Sequence, residues 1–227
     1  MAMDSFDQSP LLLPRRLRDG FDRIAAAMRV DQWSAANAEG LNPTQAQVLA
    51  FLARRDETGL RVKEIATHLG VSQPSATDTI GALERKGLVV KGADAGDARA
   101  VAVRVNKEGL STLNAIGLAS SAMDVALARL SVSEQADLLM LQIKLIRLLQ
   151  QAGAIPAQRM CVTCRYFQPY AHSDALNPHH CAFVNAAFGD RNLRLDCREH
   201  EPAEPSVQTA NWWTFSKEGA ATPQENP

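Results

Sequence analysis

The stretch VKEIATHLGVSQPSATDTIGALERKGLVVK, residues 62–91, decides the fold of this chain. A short helix is predicted over residues 63–69, and Gly70 ends it because glycine readily takes the left-handed conformation found at helix C-termini. A second helix is predicted to begin at Ser72, a capping residue, with Pro74 in its first turn. Two short helices joined by a tight glycine turn indicate a helix-turn-helix.

A two-stranded hairpin is predicted directly after the second helix, which ends at Gly87. Residues 88–90 and 100–105 have the β-rich composition of strands, whereas residues 91–99 between them are rich in Gly, Ala and Asp. A helix-turn-helix followed by such a hairpin is a winged helix. The predicted fold class is therefore mainly α with a small β-hairpin wing, that is, an α+β winged helix-turn-helix.

Helical sequence flanks this region on both sides. Apolar residues recur at helical spacing before it and after it. The last predicted helix is apolar on two faces, which indicates that it is buried or packs against a second chain. The flanking helices are predicted at residues 14–38, 44–55, 107–130 and 133–151.

Composition sets limits on the function. The chain has 227 residues and a formal net charge of −1, so no overall basic field indicates a nucleic-acid partner. Between Leu41 and Val105, nine basic residues face seven acidic ones, a mild local excess. No stretch approaches the ~20 apolar residues of a membrane span, and the N-terminus has no secretory pattern. A cytoplasmic protein without a membrane partner is predicted.

Three parts are predicted along the chain. They are a winged-helix domain with N- and C-terminal dimerisation helices (1–157, DNA-binding core about 41–109), a small four-cysteine metal module (158–200) and a flexible tail (201–227). The tail is rich in Pro, Glu, Ala and Thr. Trp212, Trp213 and Phe215 within it are predicted to dock on the protein's own surface or, alternatively, to bind a partner.

The first turn of the second helix carries the side chains predicted to read DNA. A helix fits the major groove, about 12 Å wide, and presents small polar side chains to base edges. Gln73 can pair with adenine, and the Thr77 methyl group can contact a thymine methyl group. In the hairpin, Lys91 or Arg99 is predicted to reach a phosphate or a narrow minor groove. The helix positions predicted at the interface are Ser72, Gln73, Pro74, Ser75 and Thr77.

Protein docking is the alternative use of a winged helix. A metalloprotein that docks a protein through this fold, or an electron carrier, belongs to that class. The small polar residues from Ser72 to Thr77 suit base edges better than an apolar protein interface. No G-x-S-x-G, H-E-x-x-H or phosphate-loop motif occurs in the sequence, so the protein is predicted not to be an enzyme.

At three stretches the chain resembles the MarR family of winged-helix regulators. These are LNPTQAQVLAFL (41–52), the stretch 62–91 quoted above and DAGDARAVAVRVNKEG (94–109). The resemblance implies a homodimer held by its N- and C-terminal helices. It also implies binding to a roughly palindromic operator in double-stranded DNA. The protein is accordingly predicted to be a dimeric repressor. Small-molecule or redox effectors are expected to shift the dimer away from its DNA-binding shape.

The resemblance also assigns wing residues and shows departures. Asp97 and Arg99 fall on the Asp-x-Arg of the family's wing. Asp78 stands where many members have a basic residue, and Ala95 and Ala98 occupy wing positions that are often basic. Because each lost phosphate contact weakens affinity and its salt dependence, fewer phosphate contacts than usual are expected.

Four cysteines with the spacing C-x2-C-x16-C-x15-C follow the winged helix: Cys161, Cys164, Cys181 and Cys197. In a reducing compartment, clustered cysteines indicate a metal before disulfides. Four thiolates satisfy tetrahedral zinc, so a structural zinc site is the first prediction. Nearby histidines are predicted to be supporting or surface groups.

An iron–sulfur cluster is the alternative cofactor, because it also takes four cysteines. The C-x2-C-x16-C part, with Tyr166 and Phe167 after the first pair, looks similar to small high-potential iron–sulfur proteins, whereas the last spacing departs from them. A thiol redox pair at Cys161 and Cys164 is a further alternative. The corresponding function is a redox-sensing regulator in which the cysteine site controls DNA binding.

Overall fold

The computed structural model describes residues 12–55, 58–94, 96–97, 100–119 and 121–218. The chain divides into two compact units, of which the first ends at Arg129 and the second begins at Leu130. We call them the winged-helix unit and the cysteine unit. The predicted boundary at residues 157 and 158 is therefore displaced, because the long helix before the cysteines packs with them.

The winged-helix unit has a short antiparallel sheet with strand order β1-β3-β2. Each predicted strand of the wing is present, and the edge strand pairs with β3. Its elements are α1 (Leu12–Ala38), α2 (Pro43–Ala53), β1 (Leu60–Arg61), α3 (Val62–Leu69), α4 (Gln73–Arg85), β2 (Val89–Ala93), β3 (Val101–Val105), α5 (Lys107–Leu118) and α6 (Ala122–Leu127). The α+β winged helix predicted from the sequence is confirmed.

The core of this unit fixes the orientation of α4. The predicted inward stripe of α4 is buried, namely Ala76, Ile80 and Leu83, and it packs with side chains of α2, α3 and β3. At the C-terminal end of α4, Lys86 Nζ donates to the Gly40 carbonyl oxygen at 2.6 Å and to Gln45 Oε1 at 2.9 Å. These hydrogen bonds hold the C-terminal end of α4 against the unit, and Ile80 and Leu83 anchor the helix in the core.

The helix predicted from residue 107 to 130 is two helices. α5 ends at Leu118, and Ala119 has an extended conformation with ψ 122°. Ser121 then caps α6 by accepting a hydrogen bond from the Asp124 backbone N–H at 2.9 Å. The sequence predicts one continuous helix because apolar residues recur throughout this region. The Ser121 cap instead stabilises the start of a second helix.

Gly109 in the first turn of α5 is closely packed. A Cβ atom there would overlap the Leu88 carbonyl oxygen and crowd the Val105 side chain. Gly109→Ala is therefore expected to lower the free energy of unfolding by about 1–3 kcal/mol through overpacking.

The matched control is Gly117→Ala in the same helix, where a Cβ would meet nothing within 4 Å. Alanine's helix preference should make that control stabilising by up to ~1 kcal/mol. Urea unfolding of both variants tests this, and equal stabilisation of the two would contradict it.

The cysteine unit combines two helices with a second small antiparallel sheet, of strand order β4-β5-β6. A bridge between Cys164 and Pro202 adds a further backbone pairing. Its elements are α7 (Val132–Gln151), a 3₁₀ turn (Cys161–Thr163), β4 (Phe167–Gln168), β5 (His179–Cys181), β6 (Ala186–Phe188), a second 3₁₀ turn (Asp190–Asn192) and α8 (Pro205–Glu218). In the part of the chain described here, no helix is long and apolar enough to cross a membrane.

The predicted flexible tail is instead structured up to Glu218. Phe215 of α8 is fully buried, and Trp212 packs against the same core. The large apolar area of these rings offsets the polar composition from which flexibility was predicted. Docking on the protein's own surface is thus confirmed for Trp212 and Phe215, while Trp213 is exposed. Residues 219–227 lie outside the described part.

Candidate nucleic-acid interface and cysteine cavity

The turn between α3 and α4 aims the first turn of α4 outward. Gly70 has a φ of 64°, and its N–H donates to the carbonyl groups of Ala66 and Thr67, which closes α3. Ser72 Oγ then accepts a hydrogen bond from the Ser75 N–H at 3.2 Å and caps α4. The glycine turn and serine cap predicted from the sequence are both present.

The first turn of α4 is open to solvent. Side chains on its inward stripe are buried, whereas every helix position predicted at the interface is exposed: Ser72, Gln73, Pro74, Ser75 and Thr77. Asp78 is exposed beside them. The structure therefore brings these predicted residues together on one accessible surface.

Thr77 is restrained by its own helix. Its Oγ1 donates to the Gln73 carbonyl oxygen at 2.9 Å, so the hydroxyl proton is engaged within α4. The Oγ1 lone pairs and the methyl group are the parts of this exposed side chain that can contact a base. The methyl contact with thymine proposed for Thr77 is compatible with this geometry.

Lys91 of the wing is paired within the protein. Its Nζ lies 2.7 Å from Glu84 Oε2 on α4, and both side chains are partly exposed. An exposed pair of this kind contributes little to stability. A phosphate can therefore replace the Glu84 carboxylate as the partner of Lys91 at small cost.

An ion pair between β1 and the wing loop was not predicted. Arg61 donates to both carboxylate oxygens of Asp94, at 3.0 and 3.1 Å, and Asp97 Oδ2 lies 3.9 Å from Arg61 Nη2. The predicted wing residue Asp97 therefore faces a cation of its own unit. The predicted contact residue Arg99 lies outside the described residues, as do Ala95 and Ala98.

The Arg61–Asp94 pair makes the wing sensitive to acid. Hydrogen bonds from Arg61 hold the pKa of Asp94 at about 2, below its ordinary value of 3.8. Because the pKa of Asp94 is lower in the folded state, this stabilisation is complete above about pH 3.8 and is lost as the pH falls through about 2.

An NMR titration of the Asp94 carboxyl carbon should show this midpoint. Arg61→Ala is expected to raise it towards 3.8, and Lys63→Ala is expected to leave it unchanged. An unmoved midpoint in Arg61→Ala would contradict this assignment.

All four cysteines of the cysteine unit are free and line one cavity of about 330 Å³. Aromatic and aliphatic side chains form much of the wall, including Tyr166, Phe167, Phe183, Val184 and Phe188. The prediction that the four thiols lie near one another is consistent with this shared cavity.

Two donors of Arg194 reach the cysteine sulfurs. Its backbone N–H donates to Cys161 Sγ at 3.3 Å, and its Nη1 donates to Cys197 Sγ at 3.6 Å. The Cys197 thiol donates in turn to Glu199 Oε2 at 3.5 Å. Burial raises the pKa of Cys161 to about 11, so an unligated thiol there stays protonated at neutral pH. A metal must displace that proton in order to bind.

The histidines near the cavity have structural partners. The buried His179 accepts a hydrogen bond from the Tyr170 N–H at its Nδ1, so its Nε2–H donates to Asp190 Oδ1 at 2.8 Å. His179 also packs against Phe167 and Phe188, two rings of the cavity wall. His179 is therefore a buried side chain that holds the cavity wall from behind through its hydrogen bonds and ring contacts.

The cysteines do not converge on a single point. Within the described ranges, no three side chains of the types His, Cys, Asp and Glu are arranged to hold one metal ion.

Comparison with known proteins finds one matching family, and the match lies in the winged-helix unit. Residues 39–100 match the MarR family. Among solved structures, Sco5413, a MarR family transcriptional regulator from Streptomyces coelicolor, is 21% identical with a TM-score of 0.49, covering 63% of this chain and 96% of its own. The S. aureus MepR–DNA complex is 21% identical with a TM-score of 0.47, covering 65% and 99%. CouR from Rhodococcus jostii, bound to p-coumaroyl-CoA, is 19% identical with a TM-score of 0.46, covering 60% and 90%. No curated protein sequence matches the chain.

Proposed function

We propose that this chain, whose residues 39–100 match the MarR family, is a transcriptional regulator that binds a palindromic operator as a homodimer and represses transcription there. The family consists of regulators and not of enzymes, in agreement with the sequence-based prediction. The observation that carries the proposal is the first turn of α4. It is exposed, polar and held rigidly by a buried stripe, as a helix that enters the major groove must be.

An apolar stripe on α1 supports the homodimer. Its side chains recur at helical spacing, and each is at least 39% exposed in the single chain: Leu13, Leu17, Phe21, Ile24 and Met28. Contiguous apolar surface of this kind marks an interaction site. A second copy of α1 is the proposed occupant, because the family resemblance implies dimerisation through the terminal helices.

The two apolar faces of α7 have different roles. Ile143 is buried and packs with Leu139 and Ile146 in the core of the cysteine unit. Leu141, Leu145 and Leu148 remain exposed on the other face. We assign this second face to the same homodimer, in accordance with the helix pattern that indicated a partner chain.

An effector that controls operator binding is part of the proposal. A small molecule would find an open hollow at α1, lined by Trp33, Ser34 and Asn37. Trp33 is exposed there and does not contribute to the core of a single chain. A redox signal would act instead at the cysteine unit, where we propose that the four cysteines hold a metal centre. Zinc was the first prediction for that centre.

Alanine substitutions in the first turn of α4 test the DNA-binding surface. Gln73→Ala and Thr77→Ala are each expected to weaken specific binding by about 1–3 kcal/mol, because each removes a base contact. This corresponds to a rise in Kd of roughly 5- to 150-fold. The dissociation constant is measured with an operator selected by the wild-type protein.

The matched control for Thr77→Ala is Thr209→Ala on α8. Thr209 Oγ1 donates to the Pro205 carbonyl oxygen at 2.9 Å, the same bond that Thr77 makes on α4. Thr209→Ala should leave the Kd for the operator unchanged. If both α4 variants bind the operator like the wild type, α4 is not the reading helix.

A further inference from the structure

The four cysteines reach their shared cavity from four separate positions in the chain. Cys161 and Cys164 stand at the start and just after the end of the first 3₁₀ turn, and Cys181 ends β5. Cys197 follows the second 3₁₀ turn. Each thiol therefore enters the cavity wall from its own backbone segment or turn end, and all four line the same space.

The arrangement of the cysteines around the cavity favours a group larger than one ion. Zinc bonds of about 2.3 Å would bring four sulfurs to within ~3.8 Å of one another. In the described part of the chain, no three candidate ligands have such an arrangement. In a core of several metal ions each thiolate binds a different ion, so the four sulfurs that line this cavity need not surround a single point.

The wall of the cavity is suited to a redox-active core. Tyr166, Phe167 and Phe188 contribute rings, and Phe167 and Phe188 belong to the packed core of the unit. An apolar shell limits the access of water to a metal centre and so governs its reduction potential and stability.

Arg194 supplies hydrogen bonds and charge to the sulfurs. Its backbone N–H and guanidinium donate to Cys161 and Cys197 respectively. Such bonds to ligand sulfurs are among the factors that set cluster potentials. The guanidinium also offsets part of the negative charge of four thiolates. Glu199 opposes it, because its carboxylate lies 3.5 Å from Cys197 Sγ and no longer accepts a hydrogen bond there once the thiol has released its proton and the sulfur binds iron.

We propose that this cavity binds a [4Fe–4S] cluster through Cys161, Cys164, Cys181 and Cys197, with Arg194 as a positioning residue that tunes its potential. Each thiol releases its proton to solvent as its sulfur bonds to one iron. The inference deepens the metal centre of the proposed function and does not depend on DNA binding.

The test begins with the full chain, incubated without oxygen with Fe³⁺, sulfide and a thiol reductant, then desalted. The reductant supplies the two electrons that four Fe³⁺ need in order to form a [4Fe–4S]²⁺ core. The expected result is about four iron and four acid-labile sulfide per chain with a broad visible absorption band. One zinc per chain on purification, with no sulfide uptake, would overturn the cluster but leave a metal centre. Two iron and two sulfide would overturn the four-iron assignment. No metal of any kind would overturn both the cluster and the metal centre.

Two substitutions separate ligation from folding. Cys181→Ser is expected to lower the iron and sulfide content by more than half, with the far-UV circular dichroism of the unit retained. Arg194→Ala is expected to keep the full iron content and to lower the reduction potential, because a cation and a sulfur hydrogen bond are removed. Arg191→Ala, which removes an exposed arginine from the same segment, is the control and should leave the potential near that of the wild type. An unchanged potential in Arg194→Ala would overturn the role of Arg194.

Discussion

Phe215→Ala is expected to lower the free energy of unfolding of the cysteine unit by about 3–5 kcal/mol. Phe215 is fully buried, and its ring centroid lies 6.0 Å from that of Phe167 and 5.9 Å from those of His179 and Trp212. Removing it leaves a cavity among rings that pack closely. Chemical denaturation, followed by tryptophan fluorescence, measures the loss.

Trp213→Ala is the matched control for Phe215→Ala. Trp213 lies on the same helix, two residues earlier, but is 59% exposed. Its removal should change the unfolding free energy by less than about 1 kcal/mol, since exposed substitutions seldom do more. Similar losses in the two variants would show that α8 is not docked through Phe215.

Leu17→Glu combined with Ile24→Glu is expected to convert the proposed homodimer of this chain into a monomer. Both side chains belong to the exposed stripe of α1, at 55% and 44% exposure, and charges buried in a dimer interface are strongly unfavourable. Operator affinity should fall by about 10²–10⁴-fold, because two linked half-site contacts become independent. Light scattering gives the mass, and fluorescence anisotropy gives the affinity.

Ala26→Glu is the control for the α1 stripe. Position 26 lies on the opposite face of α1 from Leu17, since a helix turns about 100° per residue. Ala26→Glu adds the same type of charge at an exposed position and should leave the proposed dimer intact. A doubly substituted protein that remains dimeric would show that the stripe is not the interface.

Local signals explain why α4 and its exposed first turn could be predicted. Gly70, Ser72 and the buried stripe of α4 act within a few residues of one another, so their pattern is visible in the sequence. The pairing of Arg61 with Asp94 could not be predicted, because the partners are 33 residues apart and meet only after β1 and β2 have both paired with β3. The position of Lys91 beside Glu84 likewise depends on how the wing folds over α4.

The cysteine unit was less predictable for a different reason. Cysteine spacing indicated a shared site but contained no information about how far apart the four sulfurs stand. The polar composition after residue 201 favoured a flexible tail, whereas Phe215 and Trp212 supply enough apolar area to dock a helix. A few large aromatic side chains can outweigh the average composition of a segment.

Selection from random double-stranded DNA with the full chain shows whether the protein reads a sequence. We expect enrichment of an inverted repeat whose half-sites are about 10 base pairs apart, centre to centre. The enriched duplex should bind at least ~10³-fold more tightly than a shuffled duplex of the same composition and length. Enrichment of no motif, with equal affinity for selected and shuffled DNA, would contradict the claim that this protein is a sequence-specific regulator.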